Sequence, residues 1–105
     1  MALASYDILL TGVAQRVSTV LGQAVDGISF RQLIISADPA NAAVAYVGAD
    51  SGISSTSHGF ALDPTQATAV DKVSIGPFES GAVRLSDLWV LGTNNERLHI
   101  LGVPF

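Results

Sequence analysis

The sequence predicts an all-β fold, a single β-sandwich of about eight antiparallel strands of jelly-roll or Greek-key type. Two observations predict it. Turn signals recur at short intervals: Gly12, Gly22, Asp26-Gly27, Asp38-Pro39, Asp50-Ser51-Gly52, Asp63-Pro64, Gly76-Pro77, Ser80-Gly81 and Gly92-Thr93-Asn94-Asn95. Glycine and proline disfavour helix interiors, and Asx-Pro and Asp-Gly pairs favour turns, so helices of ordinary length do not fit between them. The runs between the turns are short and alternate apolar with polar residues, which is the pattern of strands in a sandwich or barrel.

Each run has its own pattern. Tyr6, Ile8 and Leu10 alternate with Asp7 and Thr11. Val17, Thr19 and Leu21 share one face of a second run, although Val13, Val17, Val20 and Leu21 also suit a helix over Val13–Leu21. Leu33 and Ile35 lie between Gln32 and Ser36, with Ile34 on the opposite side; Val44, Tyr46 and Val47 fall within Ala43–Gly48; Val73 and Ile75 lead toward Phe78. The last two runs are the most apolar. In Ala82–Leu91, Val83, Leu85, Trp89 and Leu91 take one face and Leu88 and Val90 the other. In Arg97–Val103, Leu98 and Ile100 point one way, Leu101 and Val103 the other. Apolar residues on both faces imply cover on both sides, so these two runs read as a terminal hairpin that passes from a solvated start into a doubly covered region. Ser51–Ser57 reads as an exposed loop.

With 105 residues there is room for one domain, 1–105, with no internal repeat or linker. The chain has no cysteine, which removes disulfides and a Cys-type zinc site from consideration. Charged residues make up 13%, against about 25% in an average domain. Interface cores are depleted in charge, so this deficit points to a homo-oligomer or another obligate assembly. Net charge is −4 and the five cations (Arg16, Arg31, Lys72, Arg84, Arg97) are scattered singly, which argues against nucleic acid as a partner. No apolar run approaches the roughly 18 residues of a membrane span, and the start of the sequence lacks the pattern of a secretory signal; a cytosolic origin is expected.

No arrangement of reactive residues emerges, so neither catalytic residues nor a cofactor are expected. His58 and His99 are isolated and read as packed or surface residues, and without cysteine they make no metal site by themselves. Asp26, Asp38, Asp50, Asp63, Glu79, Asp87 and Glu96 lie at turns or strand ends, where a carboxylate bonds nearby backbone amides. Gly-x-Ser-x-Gly, Gly-x-Gly-x-x-Gly and phosphate-cradling patterns are absent from the sequence. Among the aromatics Tyr6, Phe30, Tyr46, Phe60, Phe78, Trp89 and Phe105, a carbohydrate site would use Trp89 with Tyr46 exposed, but the apolar setting of Trp89 predicts that it is core. Phe105 is expected to dock against its own domain or a neighbour.

From about Phe30 onward the sequence resembles a group of small virion proteins of tailed bacteriophages. The resembling stretches are Arg31–Gly48 (RQLIISADPANAAVAYVG), Gly59–Pro64 (GFALDP), Ile75–Phe78 (IGPF) and Leu85–Phe105 (LSDLWVLGTNNERLHILGVPF), roughly three quarters of the chain. The shared features are turns and core residues. The resemblance implies a non-enzymatic β-sandwich that coats, cements or joins virion parts. A cement or decoration protein on the shell of the major capsid protein, a homo-oligomer with a trimer matching local capsid symmetry as one form, is the first expectation, a neck or tail component the second, and a lectin-like module the reading from another class. Contact with the shell is expected through Ala2–Gly12 and Gly102–Phe105, as chain ends free to reach neighbours.

Overall fold

The computed structural model describes residues 3–22, 28–66, 69–79 and 82–104. Eight strands follow one another: β1 (Ala4–Leu9), β2 (Gln15–Arg16), β3 (Phe30–Ala37), β4 (Ala45–Gly48), β5 (Phe60–Leu62), β6 (Lys72–Ile75), β7 (Trp89–Leu91) and β8 (Arg97–Pro104). They form two four-stranded antiparallel sheets, the first in the order β1-β8-β3-β6 and the second β2-β7-β4-β5. The pairs β1–β8, β2–β7, β3–β6 and β4–β5 nest about the β4–β5 connection, and β3–β8 and β4–β7 complete the sheets. The all-β sandwich expected from the turn spacing is what the chain forms.

Alternation places the core. Ile8 on β1, Leu33, Ile35 and Ala37 on β3, and Leu98 and Ile100 on β8 are buried on the inner face of the first sheet. Ala45 and Val47 on β4, Leu62 on β5 and Val90 on β7 are buried on the second. With Leu10, Val17, Phe30, Val83, Leu85 and Leu88 they make one contiguous cluster. Each fully buried Leu, Ile, Val or Phe contributes about 1.5–3 kcal/mol relative to exposure, which makes this cluster the main source of cohesion. Phe30 is its largest fully buried side chain, and its ring meets Tyr6 edge-on at 6.3 Å between centroids. Gly102 makes room for it: a Cβ there would stand 2.4 Å from Phe30 Cε1.

Three expectations are corrected. Val17–Leu21 is a short helix, α1, and not a strand; Val17 and Ser18 are buried while Thr19 is exposed. Only the end of the Val13–Leu21 alternative is helical: Val13 is exposed and Gln15–Arg16 is β2, while α1 packs Val17 into the core and Val20 and Leu21 against it. Second, Trp89 is not core. A 3-10 turn at Leu85–Asp87, held by Arg84 N–H donating to Asp87 Oδ2 (3.0 Å), breaks the period of two. Val83 and Leu85 point inward before it, Leu88 and Val90 after it, so Trp89 and Leu91 turn to the outer face and are half-buried. Third, β7 and β8 are not a hairpin: they lie in different sheets, joined across the end of the sandwich by 92–96. The outer face of β8 is correspondingly uncovered in part, with Leu101 exposed.

The turn signals Asp26-Gly27 and Ser80-Gly81, and Phe105 with its expected docking, lie outside the described residues.

Candidate interaction faces

The outer face of the first sheet is assembled from all four of its strands. Pairing sets the rows: Ser5 of β1 stands opposite Leu101 of β8, which stands opposite Ile34 of β3, itself opposite Ser74 of β6. The next row is Asp7, His99, Ser36 and Lys72. Beyond Leu101, Val103 pairs with Gln32, and Leu3 precedes β1 on the same side. One half of the face is therefore apolar. Leu101 is 37% exposed and Leu3 63%, with Ile34 and Val103 half-buried beside them. Gln32 Nε2 donates to Ser74 Oγ (2.7 Å) at its border.

The other half is polar and centres on His99. Its Nδ1 lies 2.6 Å from Asp7 Oδ1 and its Nε2 2.8 Å from Asp38 Oδ2. A ring can donate from both nitrogens only as the imidazolium. The bond to Asp7 first, and that to Asp38 next, raise the His99 pKa above its ordinary value, against a smaller opposing effect of burial. Asp38 is held below the usual carboxylate range, chiefly by the Ala40 N–H that donates to its Oδ1 (2.8 Å) and then by His99. With both ring nitrogens committed to carboxylates, His99 has none left to take a proton from a neighbouring nucleophile. Among the described residues no group of three or more His, Cys, Asp or Glu is arranged to hold a metal ion.

The clamp belongs to a larger polar junction that ties the β3–β4 connection to the start of β8. Buried Asn41 donates from Nδ2 to Arg97 O (2.7 Å) and accepts from Arg97 N–H (2.9 Å), taking the place of a strand partner. Ala42 N–H and Ala43 N–H donate to the Glu96 carboxylate. Elsewhere Asp50 accepts from Gly52 N–H (2.8 Å) and Asp63 from Thr65 N–H (2.9 Å). Asp38, Asp50, Asp63 and Asp87 thus bond nearby backbone amides as their turn positions suggested, whereas Glu96 accepts from amides 53 and 54 positions away; Glu79 is exposed, and Asp26 lies outside the described residues.

The outer face of the second sheet carries Trp89 and Tyr46. Trp89 stands opposite Gly48 and Tyr46 opposite Leu91 on adjacent strands. Neither ring is bare. The Arg16 guanidinium lies 5.2 Å from the Trp89 ring centroid, and the Tyr46 and His58 rings are 4.7 Å apart. His58 is positioned by the Ser51–Ser57 loop, where its Nδ1 lies 3.0 Å from Ser54 O. That loop is exposed as expected, apart from Ile53, which is buried over Gly48 where a Cβ would collide with it. Beside Trp89 runs an open groove of about 430 Å³, lined also by Gln15, Arg16, Thr19 and Val20. Gln15 Oε1 is buried there without a hydrogen-bond partner among the described residues.

The described parts of Ala2–Gly12 and Gly102–Phe105 include paired strands and are not free arms. Ala4 pairs with Gly102, and Pro104 with Phe30, so both stretches hold strands of the first sheet; Met1, Ala2 and Phe105 lie outside the described residues. Comparison with family models, with curated proteins and with solved structures finds no match to this chain.

Proposed function

We propose that this chain is a non-enzymatic structural protein of a tailed-phage virion, a cement or decoration protein that binds the shell of the major capsid protein. The observation that carries the reading is the outer face of the first sheet, where Leu3, Leu101, Ile34 and Val103 form an apolar area bordered by polar groups. An apolar centre with a polar rim is the anatomy of a protein interface. The low charge content supports it. We read the nested strand order as a jelly roll, an architecture shared by viral coat proteins and lectins. That analogy is at fold level; the virion assignment itself rests on the sequence resemblance. In this reading the chain is made in the host cytoplasm, associates with copies of itself, and ends on the capsid surface.

The test is co-sedimentation with shells assembled from the major capsid protein alone. Wild-type chain should enter the shell pellet, and a folded Leu101→Glu variant should stay in the supernatant. Binding that ignores Leu101→Glu overturns the proposed face. Binding to tails and not to shells overturns the capsid assignment in favour of a neck or tail role.

The second sheet favours a second reading, a carbohydrate-binding module, because Trp89 and Tyr46 face outward and Trp89 borders a groove where Gln15 Oε1 has no partner among the described residues. Trp89 is the single tryptophan, so its fluorescence reports on that groove alone. Saturable changes on adding oligosaccharide, lost in Arg16→Ala, would favour this reading over the first.

A further inference from the structure

The sandwich has four edge strands, and one of them is unlike the rest. β2 has two residues, β5 three and β6 four, whereas β1 has six. Proteins blunt sheet edges by keeping them short or by placing Lys or Pro on them. β6 carries Lys72 and runs into Pro77; β1 carries neither Lys nor Pro. Its backbone is also poised to accept a strand. Leu10 N–H donates to Glu96 O (2.8 Å) in the register that pairs Leu9 with Arg97, so the even-numbered residues of β1 bond to β8. Asp38 N–H donates to Arg97 O (3.1 Å), so the odd-numbered residues of β8 face β3, as that parity requires. Ser5, Asp7 and Leu9 therefore aim their N–H and C=O groups at the open edge, where the described residues place no strand.

The side chains of this edge choose the partner. Leu3 and Leu9, 63% and 44% exposed, sit at the two ends of its outer face, equally spaced about Tyr6, with Ser5 and Asp7 between them. We propose that β1 pairs with β1 of a second copy of this chain, antiparallel about a two-fold axis at Tyr6, joining two first sheets into one eight-stranded sheet. In that register Leu3 of each copy meets Leu9 of the other, and Ser5 meets Asp7. Both exposed leucines are covered by one contact. The Ser5 hydroxyl donates to the Asp7 carboxylate, whose Oδ2 is left over because His99 takes Oδ1. The odd-numbered residues become hydrogen-bonded pairs, satisfying the open edge. Neighbouring registers fail: moving the axis to Asp7 sets the two Asp7 carboxylates opposite each other, and moving it to Ser5 sets Asp7 against Leu3 and leaves Leu9 uncovered. A two-fold contact uses the same patch on both subunits, which this strand provides. The pairing makes the association a two-fold one and does not depend on the virion reading.

Light scattering on a size-exclusion peak should report twice 10.8 kDa for the wild type. Ser5→Pro removes an N–H that β8 does not use, so it should give a folded monomer by circular dichroism, and Leu9→Lys should do the same. Because the chain has no cysteine, register can be read by cross-linking. A variant with both Leu3→Cys and Leu9→Cys should form a reducible dimer, since facing Cα atoms in such a pair lie about 5.5 Å apart. Either single cysteine should not. A wild-type peak at 10.8 kDa or at three times that mass overturns the proposal, as does a dimer that survives both Ser5→Pro and Leu9→Lys. Cross-linking by Leu3→Cys alone overturns the register.

Discussion

Gly102→Ala probes the packing on which both faces depend. Gly102 lies on the inner face of β8, between Ala4 of β1 and Leu33 of β3. A Cβ there would stand 2.4 Å from Phe30 Cε1, 2.6 Å from Cδ1 and 3.3 Å from Cζ. Ordinary carbon contacts are about 3.5–4.0 Å, so the nearest atom must retreat by more than about 1 Å. The Phe30 ring has little room to do so. It is fully buried, meets Tyr6 edge-on, and its backbone exchanges two hydrogen bonds with Val83. Overpacking of this kind costs about 1–3 kcal/mol. Replacing a strand glycine returns about 0.4–1 kcal/mol through the unfolded state. The net loss should be about 1–2 kcal/mol, read in urea as a lower midpoint at unchanged slope and in heating as a Tm roughly 5–15 °C lower. The penalty should nearly vanish in a Phe30→Leu background, where the ring edge is gone, and a double-mutant cycle measures that coupling. A Gly102→Ala protein as stable as wild type, or a penalty undiminished by Phe30→Leu, would refute the contact.

The remaining predictions concern the same sheet. His99→Gln removes an imidazolium whose pKa is raised in the folded chain, so wild type should exceed the variant in stability most fully below pH 6.5. The excess should disappear as pH rises through the raised folded value; its size should be about 1 kcal/mol or less, as for exposed ion pairs, and urea titrations at pH 5.5 and 9 check it. A difference that grows with pH would reverse the sign and exclude the clamp. At the acid end, Asp38 has a lowered folded pKa, so its contribution is present above pH 3.8 and fades as pH falls through the folded value; Asp38→Asn should flatten that limb of the stability curve. On β3, Ile35→Ala should cost about 2–5 kcal/mol and Ile34→Ala less than half as much, because only Ile35 is in the core. Equal costs would mean the strand is not faced as described.

The parts of this fold legible in the sequence are those set by local period. Ile8 and Leu10, Leu33 and Ile35, and Leu98 and Ile100 alternate without interruption, and each pair is buried as its spacing indicates. Where the backbone leaves the period of two, the reading fails. The 3-10 turn at Leu85–Asp87 reverses the facing of Leu88–Leu91, which is why Trp89 looks like core and is not. Its signal is Ser86-Asp87 between apolar residues, with the carboxylate three residues beyond Arg84. The helix at Val17–Leu21 prevails because tertiary packing of Val17, Val20 and Leu21 overrides the preference of the β-branched Val17, Thr19 and Val20 for strand over helix. The His99 clamp is the least legible feature. Asp7 and Asp38 are 92 and 61 positions away from His99, and only the pairings of β1 and β3 with β8 bring them to it. Neither composition nor spacing carries that information. The same holds for β7 and β8, neighbours in sequence that the nested order assigns to opposite sheets.

The proposed reinforcement of a capsid by this chain can be read from the temperature at which particles release their DNA. A protein that binds the assembled shell and not its dispersed subunits stabilises assembly by about 2.7 kcal/mol per site at a hundredfold excess over Kd. Particles prepared without the chain should therefore release DNA, followed with a fluorescent dye, at a lower temperature than complete particles. Adding purified wild-type chain should restore the higher value, and adding folded Leu101→Glu should not. Equal release temperatures with and without the chain would exclude a cementing role.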